Sequence, residues 1–525
     1  MKQNIRSLIA ALSALAATSA FGEIKMPKIF SDGMVLQRDM LVKIWGTADA
    51  NASVDVEFAG AKKSAKAGAD GKWLVVLDKM PASKTPRAIT VYENGNAGAK
   101  IGNVLVGEVW IAGGQSNMGW VLENTTDAKA AFERAKKNKI LRYFKQSPHA
   151  IARTPQEDSP KGAMWERADV GKCALHWSAI GFYFGEKISE ALDVPVGIVG
   201  TPLGATAMAA WVDEAAAGKN EYMKGVYESF KKRAEKYDEN AYRAALKTYE
   251  EKVAALEKEN AERKKQGRPP KKLQWDYKRP NEISPVPCFR TPVWNYNAKV
   301  APLRGLAARG IIWYQGESDT LEPAVLHFES QLKLLISTWR GYFEKTDMPF
   351  IMAQLSSFVS SPKNKWAEAR AAQLAVAASV PNVYAIPTID RGESNDIHPK
   401  DKTTVGLRMA NVALSQVYGA ATPNPFAPEF KSAEYSGSAA TVLLETRGLE
   451  IESRGELRGF EVLANGKWAK AVAKLDGGKI VLKSPDGADV SGVRYLWKND
   501  PLSEICVFDS GGLPLYPFEN LKNRK

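Results

Sequence analysis

The chain is 525 residues long, 45% hydrophobic and 25% charged, with three cysteines. That length predicts two to four domains, and the composition excludes a disordered, collagen-like or disulfide-framed chain. The formal charge of +13 invites a nucleic-acid partner, but residues 219–279 alone hold 18 Lys and Arg against 11 Asp and Glu in a helix-like stretch, so no nucleic-acid site is expected.

Residues 1–22 read as a cleavable export signal. Lys2 and Arg6 open it, and Leu8 to Ala17 form an apolar run too short to span a bilayer. Thr18, Ser19, Ala20 and Gly22 supply small residues for cleavage after Ala20 or Gly22. No later stretch has the roughly 20 apolar residues of a membrane helix. The expectation is a secreted or periplasmic protein without a transmembrane segment. Its remaining positive charge suits attraction to an anionic polysaccharide or lipid surface. Cys173, Cys288 and Cys506 lack metal-site spacing. At most one disulfide can form among them, and buried free thiols are the alternative.

Residues 23–102 are expected to form a β-sandwich-like domain. Short runs such as Leu41-Val42-Lys43-Ile44-Trp45 and Trp73-Leu74-Val75-Val76-Leu77 alternate with the turn signals Asp32-Gly33, Asp70-Gly71 and Asn94-Gly95. From Asn103 the pattern changes. Buried-strand signals at Val104 to Ile111, Val194 to Val199, Arg309 to Tyr314, Phe350 to Leu355 and Val383 to Ile386 alternate with helix candidates at Ala174 to Leu192, Val325 to Phe343 and Trp366 to Ala378. This alternation predicts a three-layer α/β/α domain over 103–420 with a mainly parallel sheet. A charged helical insertion occupies 215–280. Its apolar stripe from Tyr227 to Leu256 fits either a lid or partner-binding arm, or a structural helical hairpin packed on its own domain. Residues 421–525 return to short strands and turns, a second β-rich domain.

Four strand ends of the middle domain carry polar or glycine-rich loops. Ligands in open α/β sheets bind at the carboxyl ends of the strands. Ser116 follows Gly113-Gly114-Gln115 just past the first of these strands, where two glycines allow a sharp turn. The segment is not Gly-x-Ser-x-Gly, because Met118 stands at the second glycine position. A serine nucleophile needs a base. Among His149, His176, His327 and His398, only His398 sits in a loop after the last parallel strand, beside carboxylates that could orient it. The segments Gly200 to Thr206 and Gln315 to Asp319 offer donors for an oxyanion. From the residues alone, Ser116 stays open between nucleophile and helix cap, and His398 between base and solvated loop residue.

The same segments resemble the sialate O-acetylesterases, part of the wider SGNH (GDSL-like) hydrolase group. The resemblance rests on Ser31-Asp32-Gly33-Met34-Val35-Leu36-Gln37-Arg38, Gly114-Gln115-Ser116-Asn117-Met118, Trp313-Tyr314-Gln315-Gly316-Glu317-Ser318, Asn395-Asp396-Ile397-His398-Pro399-Lys400 and, near the end, Trp497-Lys498-Asn499-Asp500-Pro501 with Gly512-Leu513-Pro514. It implies a secreted serine esterase acting on acetylated carbohydrate. Ser116 is the nucleophile and His398 the base. The backbone N–H groups of Ser116 and Gly204 and the amide of Gln315 form the oxyanion hole. The wider group has an aspartate three residues before the histidine, where this chain has Asn395, so either Asp396 or a backbone carbonyl orients His398. Ala205 follows Gly204 where the family often has a second glycine. Glu317, another acid close to the expected site, is expected either to hold Gln315 or to contact the sugar, with a helix N-terminal carboxylate stabilised by the macrodipole as the alternative. No cofactor or metal is expected. The substrate is expected to be O-acetylated sialic acid, with acetylated xylan or xyloglucan as the alternative. A non-catalytic glycan-binding protein is the competing class.

Overall fold

The computed structural model describes residues 24–271 and 291–522. The expected export signal and the last part of the 215–280 insertion lie outside these residues. A central sheet runs in the order Val383–Ile386, Phe350–Ala353, Gly310–Tyr314, Asn96–Gly114, Val196–Gly200 and Leu141–Lys145, all parallel. Met164–Arg167 is antiparallel at the edge. The strands read as continuous apolar runs because helices cover both faces. Gly310–Tyr314, for example, is buried at every position. Ala179–Leu192 packs on Lys402–Gln416, and Phe328–Tyr342 on Trp366–Ser379. This is the expected α/β/α arrangement, with β-rich regions before and after it.

The change of pattern at Asn103 falls inside one strand of 19 residues, Asn96–Gly114. Its first half pairs antiparallel with Ser83–Glu93, and its last residues pair parallel with Val196–Gly200 and Gly310–Tyr314. Asn103 adopts a left-handed φ of 53° at an irregularity in the pairing with Ser83–Glu93, which resumes at Val104 and Val106 before the central-sheet partners take over from Glu108. Asparagine tolerates this conformation better than most residues. The N-terminal strands are thus in direct register with the sheet that carries the site.

The C-terminal strands bury their own apolar set, including Val462, Ile480, Leu482, Val493 and Tyr495. They are tied to the central sheet by polar contacts. The buried Arg370 guanidinium donates to the carbonyls of Leu355, Ser356, Lys498 and Asn499 at 2.8–2.9 Å. The Tyr516 hydroxyl donates to Ala385 O at 2.8 Å. The insertion forms two helices, Glu221–Glu235 and Glu239–Lys265, begun by the Asn220 and Asp238 caps. The first buries Met223 and Phe230, and the Phe230 ring meets the edge of Trp294 at 5.8 Å. No helix among the described residues is long and apolar enough to cross a membrane.

Candidate active site

The central strand ends at Gly114, where φ is 128°. A Cβ at that position would lie 2.1 Å from Tyr314 O in the neighbouring strand, so the close pairing of Gly114 with Tyr314 requires glycine. Gln115 is extended, and Ser116–Gly119 forms one helical turn. Ser116 therefore stands half-buried at the carboxyl edge of the sheet. His398 arrives from the loop after Val383–Ile386, and its Nε2 lies 2.8 Å from Ser116 Oγ. The chain separates these two residues by 282 positions, and the parallel sheet brings their loops to one edge.

His398 is fixed from two sides. Trp120 stacks on the imidazole with ring centroids 5.2 Å apart and planes inclined by 18°. Asp396 Oδ1 accepts the backbone N–H of His398 at 2.9 Å and lies 3.8 Å from Nδ1. Asp396 thus fixes the loop through the main chain. It does not form the direct carboxylate–imidazole hydrogen bond that an orienting triad acid makes.

Gly204 lies against Ser116; a Cβ on it would be 3.3 Å from Ser116 Cβ. Ala205, where the resemblance leads one to expect a second glycine, has a left-handed φ of 57°. Among the described residues, the backbone N–H groups of Ser116 and Gly204 have no acceptor. Gln315 departs from its expected position as a donor to the oxyanion. Its amide is buried, with Nε2 donating to Thr206 O at 2.9 Å and to Asp319 Oδ2 at 2.5 Å, so both N–H groups are engaged within the protein. Asp319 Oδ2 also accepts the Met208 N–H at 3.1 Å. The carboxylate that holds Gln315 is therefore Asp319, not Glu317.

Glu317 belongs to a different network. Asn117 Nδ2 donates to Glu317 Oε1 at 2.5 Å and to Ile397 O at 3.0 Å, and Asn117 Oδ1 accepts from Lys402 Nζ at 2.7 Å. Asn117 neighbours the serine and Ile397 neighbours the histidine, so one buried amide ties the two loops together. Lys402 is only 1% exposed. Its ammonium lies 5.8 Å from the Trp120 ring and 5.9 Å from the Tyr314 ring. Sequence reasoning did not single out Asn117, Lys402 or Asp319. Nothing in the sequence separates Trp120, which stacks on His398, from the core tryptophans. Trp313 and Trp366 are core residues, 1% and 2% exposed.

Burial governs the charges here. It pushes Glu317 up from its ordinary value against the Asn117 hydrogen bond, and Asp319 up to about 7. It pushes Lys402 down to about 8. Burial, then the Lys402 cation, hold His398 below the ordinary histidine value; Asp396 pulls the other way. The imidazole is thus neutral at pH 7, with a ring nitrogen in contact with a serine hydroxyl and two backbone donors adjacent. This arrangement can activate the hydroxyl as a nucleophile and receive negative charge on an attacked carbonyl oxygen.

The sequence profile of the family described as "Carbohydrate esterase, sialic acid-specific acetylesterase" matches residues 106–265 and 273–415, more than half of the chain. A sialate O-acetylesterase from Rattus norvegicus is 25% identical over 92% of this chain and 92% of its own length. One from Homo sapiens is 23% identical over 79% of this chain and 75% of its own. Among solved structures, a carbohydrate acetylesterase from Xanthomonas citri has a TM-score of 0.77 at 27% identity, covering 95% of this chain and 99% of that one. Ser116, Asn117, Gly204, Gln315, Asp319, His398 and Lys402 all fall within the matched residues.

Proposed function

The chain belongs to the sialic acid-specific acetylesterase family of carbohydrate esterases, and on that premise we propose that it removes O-acetyl groups from a sialic acid-type sugar through an acetyl-enzyme on Ser116. It is a carboxylic ester hydrolase; the route and the sugar are the proposal. The observation that carries the route is the 2.8 Å contact between Ser116 Oγ and His398 Nε2 beside two backbone N–H groups that have no acceptor among the described residues. Ser116 Oγ attacks the acetyl carbonyl carbon as its proton passes to His398 Nε2. The N–H groups of Ser116 and Gly204 receive the oxyanion. Collapse expels the sugar hydroxyl, which takes the proton from Nε2. Water then attacks the acetyl-serine with His398 again as base, and acetate leaves.

In this reading Gln315 positions the oxyanion loop through Thr206 O rather than touching the oxyanion. The Lys402–Asn117–Glu317 network positions the serine and histidine loops. The sialic acid substrate is supported by the family's description and by the names of the rat and human relatives. The proposal includes export, on the strength of the Lys2-to-Gly22 pattern. Acetate release from matched panels of O-acetylated sialosides and acetylated hemicellulose oligosaccharides tests the substrate. A preference for the sialosides is expected, and a preference for the hemicellulose panel replaces the sugar while leaving the route intact.

Two consequences follow from the histidine's surroundings. Asp396→Asn is expected to lower kcat by only about tenfold, far less than the roughly 10⁴-fold loss when a hydrogen-bonded triad carboxylate is replaced. A loss near 10⁴-fold would show that Asp396 bonds Nδ1 during turnover. The second consequence concerns pH. The reaction needs neutral imidazole, and the folded pKa of His398 is depressed, so kcat/KM falls only as pH drops below the ordinary histidine range near 6.5. Lys402 contributes to that depression. Lys402→Met therefore raises the His398 pKa and moves the acid limb of the profile to higher pH. An acid limb that stays in place, or moves down, contradicts this coupling.

A further inference from the structure

A second concave site lies between the N-terminal strands and the central domain. The strands Val42–Thr47 and Lys72–Leu77 pair as an antiparallel ribbon with Trp45 opposite Leu74. Their burial alternates, so one face packs inward while Lys43, Trp45, Lys72 and Leu74 point outward. That outward face forms one wall of a cleft of about 910 Å³, and none of its lining residues belongs to the Ser116 site. The volume is within the ordinary range for ligand sites. Two ion pairs cross the cleft from the ribbon to the facing wall. Lys72 Nζ meets Glu157 at 2.5 Å, and Lys43 meets Glu344. Between them lie half-buried Trp45 and Leu74, which is 46% exposed.

The charges of the lining are uneven. Glu157 and Glu344 are neutralised by those two lysines, and Asp158 by Lys28. Lys25, Lys66 and Arg304 also line the cleft. Among the described residues these three have no carboxylate partner within ion-pair distance. Trp45, whose ring packs at near right angles to the buried Phe30 ring 4.5 Å away, and Leu74 give the cleft an apolar patch against which the C–H face of a pyranose ring can pack. The surplus cations favour an anion beside it.

We propose that this cleft is a glycan-binding site, separate from the catalytic one, for an oligosaccharide that bears carboxylates. The choice of a sugar rests on the carbohydrate esterase reading; the choice of an acidic sugar rests on the cleft's own charges. The site holds the acidic chain without chemistry on it and keeps the enzyme on a polymer between turnovers.

Calorimetric titration of the full-length Ser116→Ala chain tests this. The probes are an unacetylated polysialic acid oligomer, which offers the serine site no ester, and a xylo-oligosaccharide of equal length. The acidic oligomer is expected to bind at least about tenfold more tightly than the neutral one. Trp45→Ala, and separately the Lys25→Glu/Lys66→Glu pair, each weaken its binding by about tenfold or more. The paired exchange touches exposed side chains only, so it reads the site even if Trp45→Ala unfolds. In the chain with Ser116 intact, the lysine pair leaves hydrolysis of a small chromogenic acetate within about twofold of its original rate. No binding, equal affinity for the two oligomers, or an affinity that the lysine exchange does not move overturns the proposal. None of these outcomes touches the esterase route, whose failure is read from ester hydrolysis.

Discussion

Ser116→Ala is expected to lower kcat on a chromogenic acetate ester by about 10⁴- to 10⁶-fold, with His398→Ala close behind and the double variant little worse than either. The reasoning is geometric. Serine is a weak nucleophile until a base takes its proton, and the described structure places one imidazole nitrogen 2.8 Å from its oxygen. The two side chains act as one unit, so their losses do not add. Some catalysis over water survives, because the N–H groups of residue 116 and Gly204 remain to meet an oxyanion. Ser116 is half-exposed at the start of a short turn, so Ala removes a hydroxyl without opening a cavity, and the melting curve should be unchanged. A loss of less than about tenfold would remove Ser116 from the chemistry.

The largest expected effect on stability lies at Arg370. Its guanidinium is fully buried and donates to four main-chain carbonyls, two from the central domain and two from residues 498 and 499. Arg370→Met keeps much of the aliphatic volume but leaves the Leu355, Ser356 and Lys498 carbonyls without a donor and Asn499 O with only the Phe358 N–H at 3.4 Å. Each orphaned buried acceptor costs about 1–3 kcal/mol, so a loss of at least about 3 kcal/mol is expected. Denaturant unfolding measures the size of the effect. Amide exchange across residues 496–501 measures where it acts, since that segment loses its anchor. A loss under about 1 kcal/mol would mean that other contacts hold the C-terminal strands in place.

The strand ends are readable from the sequence because strong local patterns mark them, whereas Ser116 and His398 stay open on the residues alone and are singled out by the family resemblance. Apolar runs of strand length end in glycine or polar residues, and a parallel sheet gathers such ends at one edge. What remained hidden depends on which way a side chain turns. Glu317 and Asp319 sit two apart in one 3-10 turn, which sends them to different partners. Nothing in Glu-Ser-Asp distinguishes the acid that holds Asn117 from the one that holds Gln315. Lys402 reads as a solvated helix residue, and only the tertiary structure buries its ammonium against Asn117. The strand Leu141–Lys145 was missed because Arg142 and Lys145 interrupt its apolar pattern, although Arg142 is buried with its guanidinium on main-chain carbonyls. The helix expected from Ala174 begins only at Ala179, after Ser178, whose hydroxyl accepts the Gly181 N–H at 3.0 Å. Apolar residues run straight through that cap and conceal it.

The most direct test of the account is to trap the acyl group. The full-length enzyme is mixed with a chromogenic acetate, quenched in acid during the first turnover, digested and analysed by mass spectrometry. A mass increase of one acetyl group is expected on the peptide that carries Gly114-Gln115-Ser116-Asn117, localised to Ser116 and absent from the Ser116→Ala chain. Acetate released in the first turnover with no acetyl group on that peptide, or an acetyl group on another residue that turns over at the catalytic rate, would contradict a Ser116 acetyl-enzyme.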